Sequence, residues 1–464
     1  MRTFLLSVWR RGARAGRPAV VVWFFVLISA PLVAFVAGVR PVQVENRTPV
    51  PAPELVPGRL LDSALYADVG DWFEDRLPGR DHAVEADAWI DYRVFGDSPS
   101  PRVSLGEDGW LFLTDTIRVP CITADRADEI AGELDLISRA GAAAGVEVVL
   151  VVAPDKAAIY PDRLGGLADE AACAAENRAL LRSALSGSPV YVDTWAALRA
   201  AGQSRDLLLY HRTDTHWTRL GASEAAAAVV EHLEPGLWEP AAVVHSGTQR
   251  RHGDLVALMG LSFREQAATH RVWRGVSPDV TRIPTGAGPV AVVSETRGVP
   301  VVPGRAVLIH DSMGEVIVPL LRPYFEHLTS VRTRAASSFG IGGEWFTVVL
   351  DDADVLLLQT VEREIVGRFD GTVALRLVGA LAHRLPGVEV GGAGVARTMD
   401  LPVSAAPRFL VVEGGGAASL QIGEVVVTSQ AAGSAAVLDV TGLAGRAVVA
   451  AQTPPTRILL VTLP

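Results

Sequence analysis

The amino-acid sequence predicts an α/β fold: a mostly parallel β-sheet covered by helices, with an N-terminal transmembrane helix ahead of it and a small all-β region behind. Three observations predict it. Short, continuously apolar runs alternate with helix-period segments between Thr123 and Leu385; residues 19–39 carry no charge; and from Pro407 onward the pattern changes to short β-like pieces broken by Gly, Ser and Pro. Strands buried on both faces read as unbroken apolar runs, which is why the middle section implies a doubly covered parallel sheet.

The chain has 464 residues, 49% hydrophobic and 20% charged, a composition that fits globular protein and excludes a disordered chain. Its first feature is the run Ala19 to Val39, long enough to cross about 30 Å of hydrocarbon as a helix. Arg2, Arg10, Arg11, Arg14 and Arg17 precede it with no acid among them, so the positive-inside rule predicts a cytoplasmic N-terminus, with everything after Arg40 outside. A cleaved signal peptide is the competing reading. Its apolar core is shorter and ends in an A-x-A-like site, whereas this run ends Val36-Ala37-Gly38-Val39, which favours an uncleaved anchor.

The expected organisation is a tail and anchor over 1–40, a Pro-rich linker over 41–59, a main domain over 60–400, and a β-rich region over 401–464. Residues 1–40 contain six Arg and no acid, so the remainder is more acidic than the whole chain's net −10. That disfavours a surface for nucleic acid or anionic lipid.

Within the main domain, Thr123 to Gly145 has a Thr/Asp start, spaced apolar residues and a closing Gly, as a helix should. Val146 to Val152 follows as a strand, then the strand Pro189 to Val192, the helix Ala196 to Ala201 and the Ala-rich helix Leu220 to Leu233. Ala306 to Ile309 predicts a buried strand, Gly314 to Leu321 a helix, Leu328 to Arg332 and Val355 to Leu358 two more strands, and Val373 to Leu385 a helix. Residues 234–303 break this rhythm and read as an insertion between two halves of the sheet. In the C-terminal region, Phe409 to Val412, Glu424 to Thr428, Ala436 to Val440, Ala447 to Ala450 and Ile458 to Val461 predict strands.

Cys121 and Cys173 are the two cysteines; outside the cytoplasm they are expected to form one disulfide, the alternative being two buried free thiols. Lys156 is the single Lys among 42 basic residues. An ammonium is a compact point charge that can lose its proton or sit close to an oxygen, so its retention points to chemistry, against chance as the alternative.

No G-x-S-x-G, H-E-x-x-H or G-K-[ST] motif is present, which removes the ordinary lipase, zincin and NTPase readings. Two segments place reactive side chains beyond strand ends, where α/β folds build their sites: His211 to Trp217, and His310-Asp311-Ser312-Met313. A serine needs a base within hydrogen-bond reach, and the base needs an orienting carboxylate on its other nitrogen. Asp214 and His216 can supply both from one turn. Ser312, at a strand-to-helix turn, has helix N-terminal N–H groups near it to hold an oxyanion.

Separately, a D-x-H is often only a turn or surface pair, and a D-S after a strand only a helix cap. His310 and Asp311 rival the roles of base and orienter, but immediate neighbours in a turn point away from each other. Zinc on Asp214, His216, His211 and His310 is a further use of these groups, without an H-x₃-H or Cys cluster to support it. No metal and no cofactor is expected.

The stretch Tyr210 to Ala222 (YHRTDTHWTRLGA) resembles the D-T-H-W block of SGNH-hydrolase-like proteins that acetylate alginate and related exopolysaccharides, and His310 to Met313 resembles their nucleophile block. Trp72 to Arg80, Phe95 to Ser98, Gly106 to Phe112 and Ala153 to Lys156 match in family order. The resemblance implies an SGNH-hydrolase-like fold, with Ser312 as nucleophile, His216 as base and Asp214 as orienter. Lys156, Arg212, Trp217, His310, Glu362 and Arg363 are expected to bind substrate or support the pocket.

It also implies a polysaccharide substrate, an acetyl donor delivered by a membrane-bound O-acyltransferase, and an extracytoplasmic O-acetyltransferase working through an acetyl-enzyme. A carbohydrate acetylesterase with the same triad is one alternative; a non-catalytic glycan-binding or scaffold subunit of an export complex is another. Some family members carry a C-terminal carbohydrate-binding β-domain, whereas the β-region here is short.

Overall fold

Strand Glu147–Ala153 shows why the middle of the chain folds as a covered sheet: Val148, Leu150 and Val152 enter one apolar core and Val149, Val151 and Ala153 another. Alternate side chains of a strand point to opposite faces, so an unbroken apolar run is what two cores demand. Leu356 and Leu358 against Val355 and Leu357 repeat the pattern, as do Val307 and Ile309 against Ala306 and Leu308.

The computed structural model describes residues 21–26, 28–39, 50–54, 56–59, 61–204, 208–284, 289–334, 338–341, 344–390, 394–432 and 435–464. The predicted cytoplasmic tail and most of the linker lie outside these residues. Within the expected anchor, residues 21–26 and 28–36 are helical. Among the described residues no helix is long and apolar enough to cross a membrane. The transmembrane helix therefore remains an expectation of the sequence.

Two compact units are present. The first joins residues 1–105 with 252–264 and holds helices α1 (Ser63–Glu74) and α2 (Arg80–Ile90). Asp62 caps α1, accepting from the Ala64 N–H at 3.0 Å, and Tyr92 stacks on Phe263 at 5.7 Å.

The second unit, residues 106–251 and 265–464, holds the large sheet. In chain order it contains α3 (Ala124–Ala143), β1 (Glu147–Ala153), α4 (Ala172–Leu185), β2 (Tyr191–Val192), α5 (Thr194–Ser204) and α6 (Arg219–Leu233). The hairpin β3 (Val243–Arg251) and β4 (Glu265–Val272) follows, then β5 (Asp279–Ile283), β6 (Ala291–Glu295), β7 (Val302–His310), α7 (Gly314–Leu321), β8 (Phe325–Arg332), β9 (Val355–Val361) and α8 (Val373–Ala380). Thr123 caps α3, accepting from the Arg126 N–H, and Thr218 caps α6, accepting from the Gly221 N–H.

The sheet order is β2-β1-β9-β7-β8-β6-β5. The first five strands are parallel, β6 adds antiparallel to β8, and β5 adds antiparallel to β6. The sheet is thus mixed, and the stretch 234–303 supplies its last two strands on one side, β6 and the edge strand β5, together with a separate hairpin. Its polar, broken pattern hid them because edge strands and hairpins have one or both faces in water. The C-terminal ends of β1, β9 and β7 lie side by side and carry the site.

The C-terminal region is β-rich and begins earlier than the sequence suggested, at Gly387–Glu389 and Ala396–Leu401. A five-stranded and a four-stranded sheet share one core, with Leu410 and Leu438 from the first meeting Met399, Leu420 and Val449 from the second. The other face of the five-stranded sheet, with Phe409, Val411, Val437 and Leu459, joins Leu377 of α8 in the main core.

Candidate active site

Strand β7 ends at His310, and the turn Asp311-Ser312-Met313 leads into α7. The buried Asp311 carboxylate fastens this turn. It accepts from the Met313 N–H at 2.8 Å and from the Val361 N–H at 2.7 Å, while its own N–H donates to Gln359 Oε1 at 3.2 Å. Asp311 is consumed as a brace and is no base. His310 is buried behind the turn, its Nδ1 2.8 Å from the Asp311 carbonyl oxygen, and burial lowers its pKa. A Cβ on Gly314 would collide with the His310 ring, so glycine lets the helix start this close. Ser312 is half-buried and opens into a cavity of about 390 Å³.

The partner segment is a tight loop closed by the Thr218 N–H donating to the Leu209 carbonyl at 2.7 Å. Its inside is held by Lys156, whose Nζ donates to the carbonyls of His211 (3.1 Å), Arg212 (3.1 Å) and Asp214 (2.8 Å). Three donors radiating from one nitrogen can meet three converging oxygens; a planar guanidinium cannot. Lys156 is buried and lies over the rings of Trp110 and Phe112. It shapes the loop and does not line the Ser312 cavity.

From this loop Asp214 Oδ1 accepts from the His216 backbone N–H at 3.0 Å and from Nδ1 at 2.7 Å. That leaves Nε2 as the basic nitrogen of the ring. Burial raises the Asp214 pKa, but the hydrogen bond and charge of His216 together with Arg251 outweigh it and hold the carboxyl well below the usual range. Trp217, fully buried, donates from Nε1 to the Met313 carbonyl at 3.1 Å. This bond registers the two segments, since Trp217 follows His216 and Met313 follows Ser312. His216 and Ser312 accordingly line the same cavity, with Trp217, Arg251 and Glu315. No hydrogen bond of the Ser312 hydroxyl is found among the described residues.

The expected oxyanion donors are narrowed by the same geometry. The Met313 N–H donates to Asp311, which takes it out of the donors expected at this helix start.

Three expected pocket residues lie elsewhere. The Arg212 side chain lines a separate cavity with Trp110, Tyr160, Arg163 and Arg199. Glu362 and Arg363 line another, with Asp155 and Arg178. There Glu362 accepts from Arg178 Nε (2.6 Å), the Trp195 indole (3.0 Å) and the Asp155 N–H (3.0 Å), and Arg363 pairs with Asp155 at 2.5 Å. Burial raises both carboxyl pKa values, and the network ties the end of β1 to the end of β9. These residues brace the sheet ends that the site stands on.

Sequence reasoning missed Arg251 and Glu265, which end the two strands of the hairpin and pair across it. Arg251 donates to Asp214 Oδ2 from Nε (3.0 Å) and Nη2 (2.8 Å). Glu265 Oε2 accepts from the Arg212 N–H at 3.2 Å, and its Oε1 lies 3.6 Å from His211 Nδ1. The stretch Val243 to Arg251 (VVHSGTQRR) is mostly polar and shows no period-2 apolar alternation, so nothing in it signals what Arg251 faces.

The result is an α/β unit on a mixed sheet, with Ser312 at a strand-to-helix turn and an Asp-x-His loop beside it. Residues 103–282 match the family model described as the SGNH hydrolase-like domain of the acetyltransferase AlgX, a span that includes Asp214 and His216 and ends before Ser312. The chain is similar to the probable alginate O-acetylase AlgJ of Pseudomonas aeruginosa, 34% identical over 191 residues, 38% of this chain and 45% of that one. It is 28% identical over 199 residues to AlgJ of Pseudomonas syringae pv. tomato, 41% of this chain and 49% of that one. The chain spans about half the length of the curated relatives it matches. Among solved structures, Pseudomonas aeruginosa AlgX covers 78% of this chain and 94% of its own, at 13% identity and a TM-score of 0.45. The resemblance read from the motifs holds over the matched segment.

Proposed function

We propose that this chain is an extracytoplasmic O-acetyltransferase acting on a cell-surface or secreted polysaccharide through Ser312, His216 and Asp214. The observation that carries the reading is the Trp217–Met313 bond, which sets the Asp214–His216 pair and Ser312 around one cavity. Ser312 Oγ attacks the acetyl carbonyl of the donor, and His216 Nε2 takes its proton. The tetrahedral oxyanion rests on backbone N–H groups at the start of α7. Collapse expels the donor's leaving group, which takes the proton from His216, and leaves acetyl on Ser312. A sugar hydroxyl then gives its proton to His216 and attacks the ester; its collapse returns the proton to Ser312 Oγ.

The relatives named alginate O-acetylases support a polysaccharide acceptor of that kind. The charge-free run 19–39 with its preceding arginines supports a membrane anchor with the enzyme outside, and the family resemblance implies a membrane-bound O-acyltransferase as the source of acetyl groups. The test is to supply an aryl acetate and an oligosaccharide acceptor and analyse both products. Acetylated oligosaccharide formed by wild type and lost in Ser312→Ala is the expected result. Free acetate alone, still dependent on Ser312, makes the chain an acetylesterase, and equal background in both proteins removes the catalytic reading.

A further inference from the structure

We infer that Arg251 is a positioning residue of this reaction, dividing the two oxygens of Asp214 so that Oδ1 is held for His216, and restraining the basicity of the imidazole. The inference rests on the acyl-transfer reading above. Asp214 is 1% exposed, and a carboxylate there needs both hydrogen bonds and a countercharge. A neutral His216 supplies hydrogen bonds without charge. Arg251 supplies the charge, with Nε and Nη2 both on Oδ2, at 3.0 and 2.8 Å. Oδ1 is left to the His216 N–H and Nδ1. The carboxylate therefore cannot rotate its oxygens without breaking a pair of bonds at each.

The second consequence is electrostatic. An unshielded Asp214 would stabilise the imidazolium strongly and make His216 slow to return its proton. Arg251 cancels part of that charge and itself faces the cavity beside His216. His211, Arg219 and Glu315 also line this cavity, and Asp214 holds the Nδ1 side of the ring. Arg251 holds its place because it ends strand β3 opposite Glu265, which grips the same loop at the Arg212 N–H.

The test compares full-length wild type, Arg251→Gln and Arg251→Lys by two measurements: the pH dependence of kcat/KM for an aryl acetate, and the titration of the His216 imidazole by NMR. In Arg251→Gln the His216 midpoint should rise by about one pH unit, and the acid limb of kcat/KM with it. The plateau rate should fall about tenfold through lost orientation. Arg251→Lys keeps the charge with a single donor group, so it should restore the midpoint and only part of the rate. A His216 midpoint that is unchanged or lowered in Arg251→Gln overturns the inference, as does a midpoint raised equally in Arg251→Lys. Loss of Ser312 dependence in wild type would instead remove the reaction, an outcome that the NMR titration keeps separate.

Discussion

Lys156 spends its ammonium on three carbonyls of the Asp-x-His loop, at 3.1, 3.1 and 2.8 Å. Replacing it by Met leaves those buried oxygens without their donor, so Lys156→Met should lose about 3 kcal/mol in denaturant titration, and Lys156→Arg should fail to restore activity because its fork cannot reach all three. The lone Lys was legible in the sequence as unusual, but what it holds was not, because its partners are backbone atoms 55 to 58 residues away. His211 carries a pH prediction. Burial, aided by Arg251, lowers its pKa from 6.5 to about 4. The unfolded chain then binds the proton more readily, so stability is full above about pH 6.5 and falls as pH drops toward 4. The loss comes to about 3 kcal/mol. His211→Asn should flatten that limb in denaturation measured across the range; an unchanged limb would assign the acid loss to other groups.

At the scale of elements, the apolar strands were legible because burial on two faces leaves only one kind of residue acceptable. Strand Val355 to Leu358 was read three residues short of its end at Val361, where Gln359 and Thr360 bring polar atoms into the buried register. The hairpin β3/β4 was not legible, since its strands are mostly polar and partly exposed and only Val243, Ala267 and Val272 meet the core or are buried. Yet it delivers Arg251 and Glu265 to the site. The two segments that carry Asp214, His216 and Ser312 were legible as motifs, while their meeting depends on the indole of Trp217 reaching Met313. Trp217→Phe keeps most of the packing and removes that bond, so it should cost about 1–2 kcal/mol of stability and lower kcat about tenfold with little change in KM. A change confined to KM would mean that Trp217 contacts substrate instead.

Across the whole molecule, Cys121 and Cys173 are joined in a disulfide that closes a span of 52 residues and links the segment before α3 to α4. By the chain-entropy relation such a loop contributes about 4 kcal/mol. Reduction, or Cys121→Ala with Cys173→Ala, should lower denaturant stability by that order, and a much smaller loss would mean that the α3–α4 packing alone holds the segment. The reading of the molecule as an acyl-transfer enzyme rests on Ser312 accepting the acyl group. Intact-protein and peptide mass spectrometry after brief incubation with an aryl acetate tests this most directly. The account predicts one acetyl group, mapped to Ser312, absent in Ser312→Ala and strongly delayed in His216→Ala. An adduct that maps to another residue, or none under conditions where wild type turns over the ester, would contradict it.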